Sequence, residues 1–296
     1  MDKDYEKLIK ENKNLLKQAN YEEVIDQLST VCQKHTPWQV NRLYVEALYR
    51  QKQFTRAYNE AQAYETEYLN NDISFWVEIL LANQLFIPAR LVANQKMSSS
   101  TEGLLSRIRD VETAVETRQA ATIQKVFKNF YHLGDQPEWK QQEIINEADH
   151  LPIDKYLQAT KFIIRDPFVG IIIRNMLLKT LAALDYGQSV IYIGVDQKEH
   201  EVIPNKIQNQ QYQNINEVVK KKILEKFAQD PIDAKNYLQQ FRLQKICLYP
   251  LMTTIISDPE QWVKVLVDGE SGSDSPTIKR IAKWQKLIQE SLIIRQ

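Results

Sequence analysis

The sequence predicts a mainly α-helical protein: paired helices in its first third, further helices beyond them, and one β-hairpin in the second half. Three observations carry this expectation. Only 7 of 296 residues are glycine, against roughly 20 at ordinary usage, and helices tolerate that poverty where Gly-rich loops do not. Tyr21, Phe54 and Phe86 recur at separations of 33 and 32 residues, with Val24, Ala57 and Ala89 three positions later and Leu28, Ala61 and Ala93 four beyond those. A single run, Ser189 to Val195 (SVIYIGV), has the β-branched and aromatic enrichment and the length of a strand.

Each aromatic-x-x-small-x-x-x-apolar fragment falls early in a helix that follows another of similar length. The period and the pattern resemble the tetratricopeptide repeat (TPR), a helix-turn-helix unit of about 34 residues. The resemblance covers roughly residues 4–100, and its best copy runs from Trp38 to Asn71. It implies a TPR-like α-α superhelix in which Ala57 and Ala89 let paired helices approach and the aromatics plug the turns. The chain departs from the family in two places: Tyr44, Val45 and Leu48 stand where leucine, glycine and tyrosine are usual, and the turn Gln51-Lys52-Gln53 has no glycine. A generic array of α-hairpins sharing only the packing period is the alternative.

Helix starts are marked beyond the repeats. Thr36-Pro37, Asp166-Pro167, Asp230-Pro231, Asp258-Pro259 and Ser275-Pro276 each set a capping side chain before a proline suited to the first helical position, and Ser99 with Glu102 reads as a capping box. Residues 101–132 form one long charged helix or two, with Leu105, Ile108, Val111 and Val115, then Ile123, Val126, Phe127 and Phe130, at helical spacing. Residues 151–185 read as a helix pair broken at Asp166-Pro167, whose apolar second helix (Ile171 to Leu181) is central. The Asp-Pro turn and Arg174 resemble a HEAT-type repeat.

The hairpin of 189–195 and 201–203 turns at Asp196-Gln197-Lys198 and needs helices to pack on, because an isolated hairpin is marginal in water. A Gln/Asn-rich connector at 205–216 precedes helices at about 216–229, 231–247, 258–268 and 276–293, with a flexible break at 269–274. The expected organisation is 1–100 TPR-like repeats, 101–186 helical linker and HEAT-like pair, and 187–296 an α+β region. The order of Asp166-Pro167-Phe168-Val169, Arg174, Val202-Ile203-Pro204, Tyr249-Pro250-Leu251 and Trp262 is similar to an uncharacterised group of cytoplasmic repeat proteins of Gram-positive bacteria, a resemblance that implies an adaptor-like role and no reaction.

Composition removes several function classes. With 38 Lys+Arg against 38 Asp+Glu the net charge is zero, so the long-range attraction to polyanions behind non-specific nucleic-acid binding is missing. Cys32 and Cys247 are too far apart to suggest a disulfide scaffold, which points to a reducing, cytoplasmic compartment. The charged N-terminus lacks the apolar core of a signal peptide, and no apolar run is of membrane-spanning length. No glycine belongs to a dinucleotide fingerprint or a P-loop.

His35, His132, His150 and His200 are isolated, without the close ligand spacing of a zinc site. Both cysteines fall in apolar helical patterns, and the pairs Glu112/Glu116 and Glu143/Glu147 read as solvated helix faces. Lys220-Lys221-Lys222 is the wet side of an amphipathic helix with Val218, Val219, Ile223, Leu224 and Phe227 inward; Lys279, Arg280, Lys283 and Lys286 read the same way. The chain is therefore expected to be no enzyme and to hold no cofactor or metal.

Surface geometry remains. Stacked helix pairs leave a concave groove lined by the first helix of each pair. Projected onto this chain, the family's groove positions imply Gln39, Arg42, Glu46, Tyr49 and Arg50 in the second repeat and Asn71, Ser74, Glu78 and, less convincingly, Leu81 in the third. Arg42, Glu46 and Tyr49 share one helical face. These residues are the expected partner-binding set for a protein or peptide; the plain alternative is that they are ordinary solvent-facing residues or covered by a neighbouring domain. A nucleic-acid or ribonucleoprotein-associated role through the Lys220 helix is the second reading, and nucleic acid is the less favoured partner.

Overall fold

The computed structural model describes residues 3–32, 36–95, 101–207, 209–269 and 275–293, with the backbone alone at 3, 209, 210 and 293. It is 76% helical, with 17 α-helices and one two-stranded antiparallel sheet among the described residues. The capping box at Ser99, the break at 270–274 and His35 lie outside them. The chain divides into two compact units, 1–127 with 145–156, and 128–144 with 157–296, beside the three segments expected from sequence.

The first unit opens with three helix hairpins: α1 (Lys3–Lys17) and α2 (Tyr21–Ser29), α3 (Trp38–Arg50) and α4 (Phe54–Gln62), then α6 (Ile73–Ala82) and α7 (Phe86–Gln95), with the short α5 (Glu65–Asn71) before α6. The same three-residue turn closes all three. Its middle residue is left-handed, at Ala19 (φ 60°), Lys52 (φ 59°) and Gln84 (φ 58°). The next amide donates back to a leucine carbonyl five residues earlier, Asn20 to Leu15, Gln53 to Leu48 and Leu85 to Leu80, each at 2.9 Å. The left-handed residue's own amide bonds three residues back, to Leu16, Tyr49 and Leu81. This double closure satisfies the last carbonyls of the first helix and usually employs glycine; here alanine, lysine and glutamine carry the strain of about 1–2 kcal/mol per residue.

Small residues set the distance between paired helices. Ala57, Ala61, Ala89 and Ala93 are fully or almost fully buried, as are Val24 and Leu28. Of the three recurring aromatics only Phe86 is fully buried; Phe54 is half-buried and packs on Tyr49 across the turn at 5.4 Å. Successive hairpins are tied by Asn83, whose side-chain amide donates to the Phe54 carbonyl at 3.0 Å.

Of the one or two helices expected at 101–132, the structure has two, α8 (Thr101–Arg118) and α9 (Ala120–Tyr131). Glu112 departs from the solvated face expected for it. It is buried against the equally buried Arg90 of α7 in a two-pronged pair at 2.8 and 2.6 Å, because α8 packs its Ile108, Glu112 and Val115 side on α7. Glu116, one turn on, pairs with Lys155 at 3.3 Å. The unit also takes in the end of α10 (Glu138–Ala148) and the start of α11 (Ile153–Ile163).

The second unit contains α12 (Ile171–Ala183), the hairpin β1 (Val190–Ile193) and β2 (Glu199–Val202), α13 (Asn209–Lys226), α14 (Pro231–Leu248), α15 (Met252–Ile255), α16 (Pro259–Asp268) and α17 (Pro276–Ile293). The strands pair Val190 with Val202 and Tyr192 with His200. Val190 and Tyr192 point inward, and the Ile193 amide donates to the Ile164 carbonyl at 3.0 Å, which anchors the sheet to the end of α11. Trp262 centres the core; its indole N–H donates to Gln244 at 2.9 Å.

Asp230 and Asp258 cap α14 and α16, each accepting two amides ahead of a first-turn proline. Asp166-Pro167 does not start a helix. Asp166 accepts from the Phe168 amide at 2.8 Å in a tight turn, and α12 begins only at Ile171. The Gln/Asn-rich connector is helical from Asn209, because Tyr212 and Ile215 find the core. Within α13, Val219 and Ile223 are buried, whereas Val218 and Leu224 face outward at 39% and 45% exposure, contrary to their expected inward placement.

Candidate functional site

The partner-binding set drawn from sequence lies on α3, the end of α5 and α6, and the side chains divide into anchors and exposed positions. Arg42 is an anchor. Its Nε donates to Asp72 at 2.6 Å and its Nη1 to Glu46 at 2.8 Å, while the guanidinium lies 3.7 Å above the Phe75 ring. Two edges and one face of the planar cation are thus engaged within the chain. Asp72 also caps α6, accepting the Phe75 amide at 3.3 Å, so one carboxylate orients both a helix start and the arginine opposite.

Tyr49 is the second anchor. Its ring packs on Phe54 at 5.4 Å and on Phe75 at 5.5 Å, and burial, followed by the neighbouring Glu78 carboxylate, pushes its phenol pKa up. Glu78 receives both prongs of Arg107 from α8 at 2.8 and 3.1 Å. That hydrogen-bonded pairing raises the Arg107 pKa further. Glu46, besides holding Arg42, lies 3.6 Å from Arg50.

Gln39, Arg50, Asn71 and Ser74 are exposed. Asn71 donates to the Glu67 carbonyl at 2.8 Å. Leu81 is buried at 4% exposure and belongs to the core. The face as a whole is a ladder in which Arg50, Glu46, Arg42 and Asp72 alternate in sign, followed by the Glu78–Arg107 pair. It can present donors, acceptors and aromatic edges in a fixed geometry.

Two members escaped sequence reasoning. Asp72 carried a signal, an acidic residue just before a helical run, which is the N-cap preference. Arg107 carried none, since its meeting with Glu78 depends on how α8 packs on α6.

The remaining chemistry is quiet. Burial, with a lesser push from Glu60, raises the Cys32 thiol to about 12, and burial raises Cys247 to about 11; neither is a thiolate at neutral pH. His132 approaches Asp135, His150 meets the Gln84 carbonyl at 3.0 Å, and His200 meets Asp196 at 2.9 Å. Among the described residues no three metal-ligating side chains converge, and no helix is long and apolar enough to cross a membrane. On α13, Lys221 pairs with Glu225, Lys222 with Glu260 at 2.9 Å and Lys226 with Asp268 at 2.6 Å. Toward the C-terminus, Arg280 donates to Ser257 and Lys286 pairs with Glu290. Compared with known proteins, the chain matches no family model and no curated protein at a significant level.

Proposed function

We propose that this chain is a cytoplasmic, non-enzymatic interaction protein, a TPR-like adaptor that receives a segment of a protein partner on the face formed by α3 and α6. One observation carries the reading: the polar residues of that face are held by one another and by the aromatic pair Tyr49 and Phe75, so the face is preorganised and a partner would pay little ordering entropy to meet it. The exposed Gln39, Arg50, Asn71 and Ser74 then make the direct contacts, with Arg42, Glu46, Tyr49 and Glu78 as their support. The alternating charges suit a partner segment of mixed charge.

The test is site-specific photocrosslinking in the host cell from Gln39 and Ser74, with Lys235 of α14, also exposed, as the control position. A discrete adduct from 39 and 74 alone is expected, and its purified component should bind the intact protein and lose affinity with Arg50→Glu. Adducts arising only from 235, or none from 39 and 74, would refute the reading. Nucleic-acid association through α13 draws less support, because three of that helix's lysines are already paired with carboxylates.

A further inference from the structure

In the second unit three cations meet in one cleft. Lys179 from α12 and Arg242 and Lys245 from α14 line a cleft of about 410 Å³, closed on the α13 side by Tyr212, Gln213 and Asn216. No Asp or Glu lines it. Neither Lys179 nor Arg242 has a carboxylate beside it in the cleft lining. Lys245 donates to the Asn216 side-chain amide oxygen Oδ1 at 2.5 Å, and the Lys179 ammonium stands 5.0 Å over the Tyr249 ring.

The spacing follows from helix geometry. Gln213, Asn216 and Lys220 fall at i, i+3 and i+7 on α13, and Arg242, Lys245 and Tyr249 fall likewise along α14 and its end, so each helix turns one polar edge to the cleft. Glu217, outside the cleft lining, acts on Lys245 against Lys179, Arg242 and Lys220.

We propose that this cleft binds a small molecule through a compact diphosphate group. Cations gathered in a cleft whose lining holds no carboxylate are stabilised by a ligand that brings more than one negative charge in a small volume, which a single carboxylate does not. Arg242 offers a planar fork for two phosphate oxygens, and the two ammonium groups supply point charges beside it. Tyr212 accepts from the Met252 amide at 3.4 Å, which leaves its O–H free to donate, and the Gln213 side chain adds an amide. The cleft's volume is that of a small-ligand site. Desolvation lowers the ammonium pKa of Lys179; Lys245 is lowered first by desolvation and then by repulsion from Lys179 and Arg242. A bound dianion relieves the repulsion. This site is independent of the α3 and α6 face.

Isothermal titration of the full-length protein in metal-free, low-salt buffer, with pyrophosphate and separately with ADP, tests the proposal. Saturable 1:1 binding is expected, weakened about tenfold or more by Arg242→Gln or Lys179→Gln, the scale of losing one charge-assisted hydrogen bond. Both side chains are exposed, so the variants keep the fold, which circular dichroism checks. Lys235→Gln, on the same helix outside the cleft, should change binding by less than about twofold. Equal affinity for the two probes assigns recognition to the diphosphate itself, and tighter ADP binding adds the tyrosine rings; both results support the site. Absence of binding, or equal weakening by Lys235→Gln, overturns it. So does binding of a single-stranded oligouridylate that pyrophosphate does not displace, which would make the cluster a nucleic-acid contact.

Discussion

Glycine placed in the turns between paired helices should stabilise this protein, although glycine normally destabilises. Ala19 and Lys52 sit at φ 60° and 59° at the ends of α1 and α3, where a Cβ crowds the following carbonyl at about 1–2 kcal/mol. Ala19→Gly and Lys52→Gly relieve that strain; the more flexible unfolded chain gives back about 0.4–1 kcal/mol. Both side chains are exposed, so no packing is lost, and a net gain of about 0.5–1 kcal/mol per site remains from the difference of these terms. The sites belong to different hairpins and should add to about 1–2 kcal/mol in the double variant.

Asp185→Gly is the internal control. Asp185 is also left-handed, at φ 58° after α12, but its carboxylate accepts from the Asn205 side chain at 2.9 Å, and losing that bond offsets the gain by about 1 kcal/mol. Urea unfolding followed by circular dichroism gives the midpoint, and amide hydrogen exchange in α1–α4 isolates the first unit. A lowered midpoint for Ala19→Gly and Lys52→Gly would mean these residues are not left-handed in solution, and the shared turn would fall with them.

Other perturbations read other links. Glu112→Ala strands the buried Arg90 guanidinium and should cost about 3–5 kcal/mol, whereas the double change Arg90→Met with Glu112→Leu should cost far less; urea midpoints compare them. Ala57→Leu overpacks the contact around a fully buried residue and should cost about 1–3 kcal/mol by the same measurement. Burial raises the Asp149 carboxyl to about 6, above its unfolded value of about 3.9. The folded state therefore holds a proton that the unfolded state has released between pH 4 and 6, so stability falls as pH rises through that window and levels above it. Asp149→Asn should flatten that slope and raise the melting temperature at pH 7.5 while leaving it nearly unchanged at pH 4; an unaltered profile would clear Asp149 of responsibility. Arg42→Ala should destabilise the first unit, since it releases Asp72, Glu46 and Phe75 together; a neutral urea midpoint would return Arg42 to the solvent-facing role its sequence position suggested.

What the sequence determined by itself is what short spacings encode. The 33- and 32-residue period, the small residues at 57, 61, 89 and 93, the caps at Asp230 and Asp258 and the strand-like run at 190–193 each rest on neighbours within a few residues along the chain, and the helices and hairpin appear where those spacings place them. Even there the tertiary level intervened: Asp166-Pro167 has the cap signature of Asp230-Pro231, but its chain turns first and α12 begins at Ile171. Tyr212 and Ile215 drew a connector of low intrinsic preference into α13 by offering it apolar contact. The fate of charged side chains was decided only by packing. Nothing local separates Glu112, buried on Arg90, from Glu143, left in solvent, or marks Arg42 for Asp72 30 residues away. Lys179 is more than 60 positions from Arg242 and Lys245, and the three share a cleft. Helical periodicity specifies which face of a helix is apolar, whereas the partner of an ion sitting at that face's edge is set by which other helix arrives there.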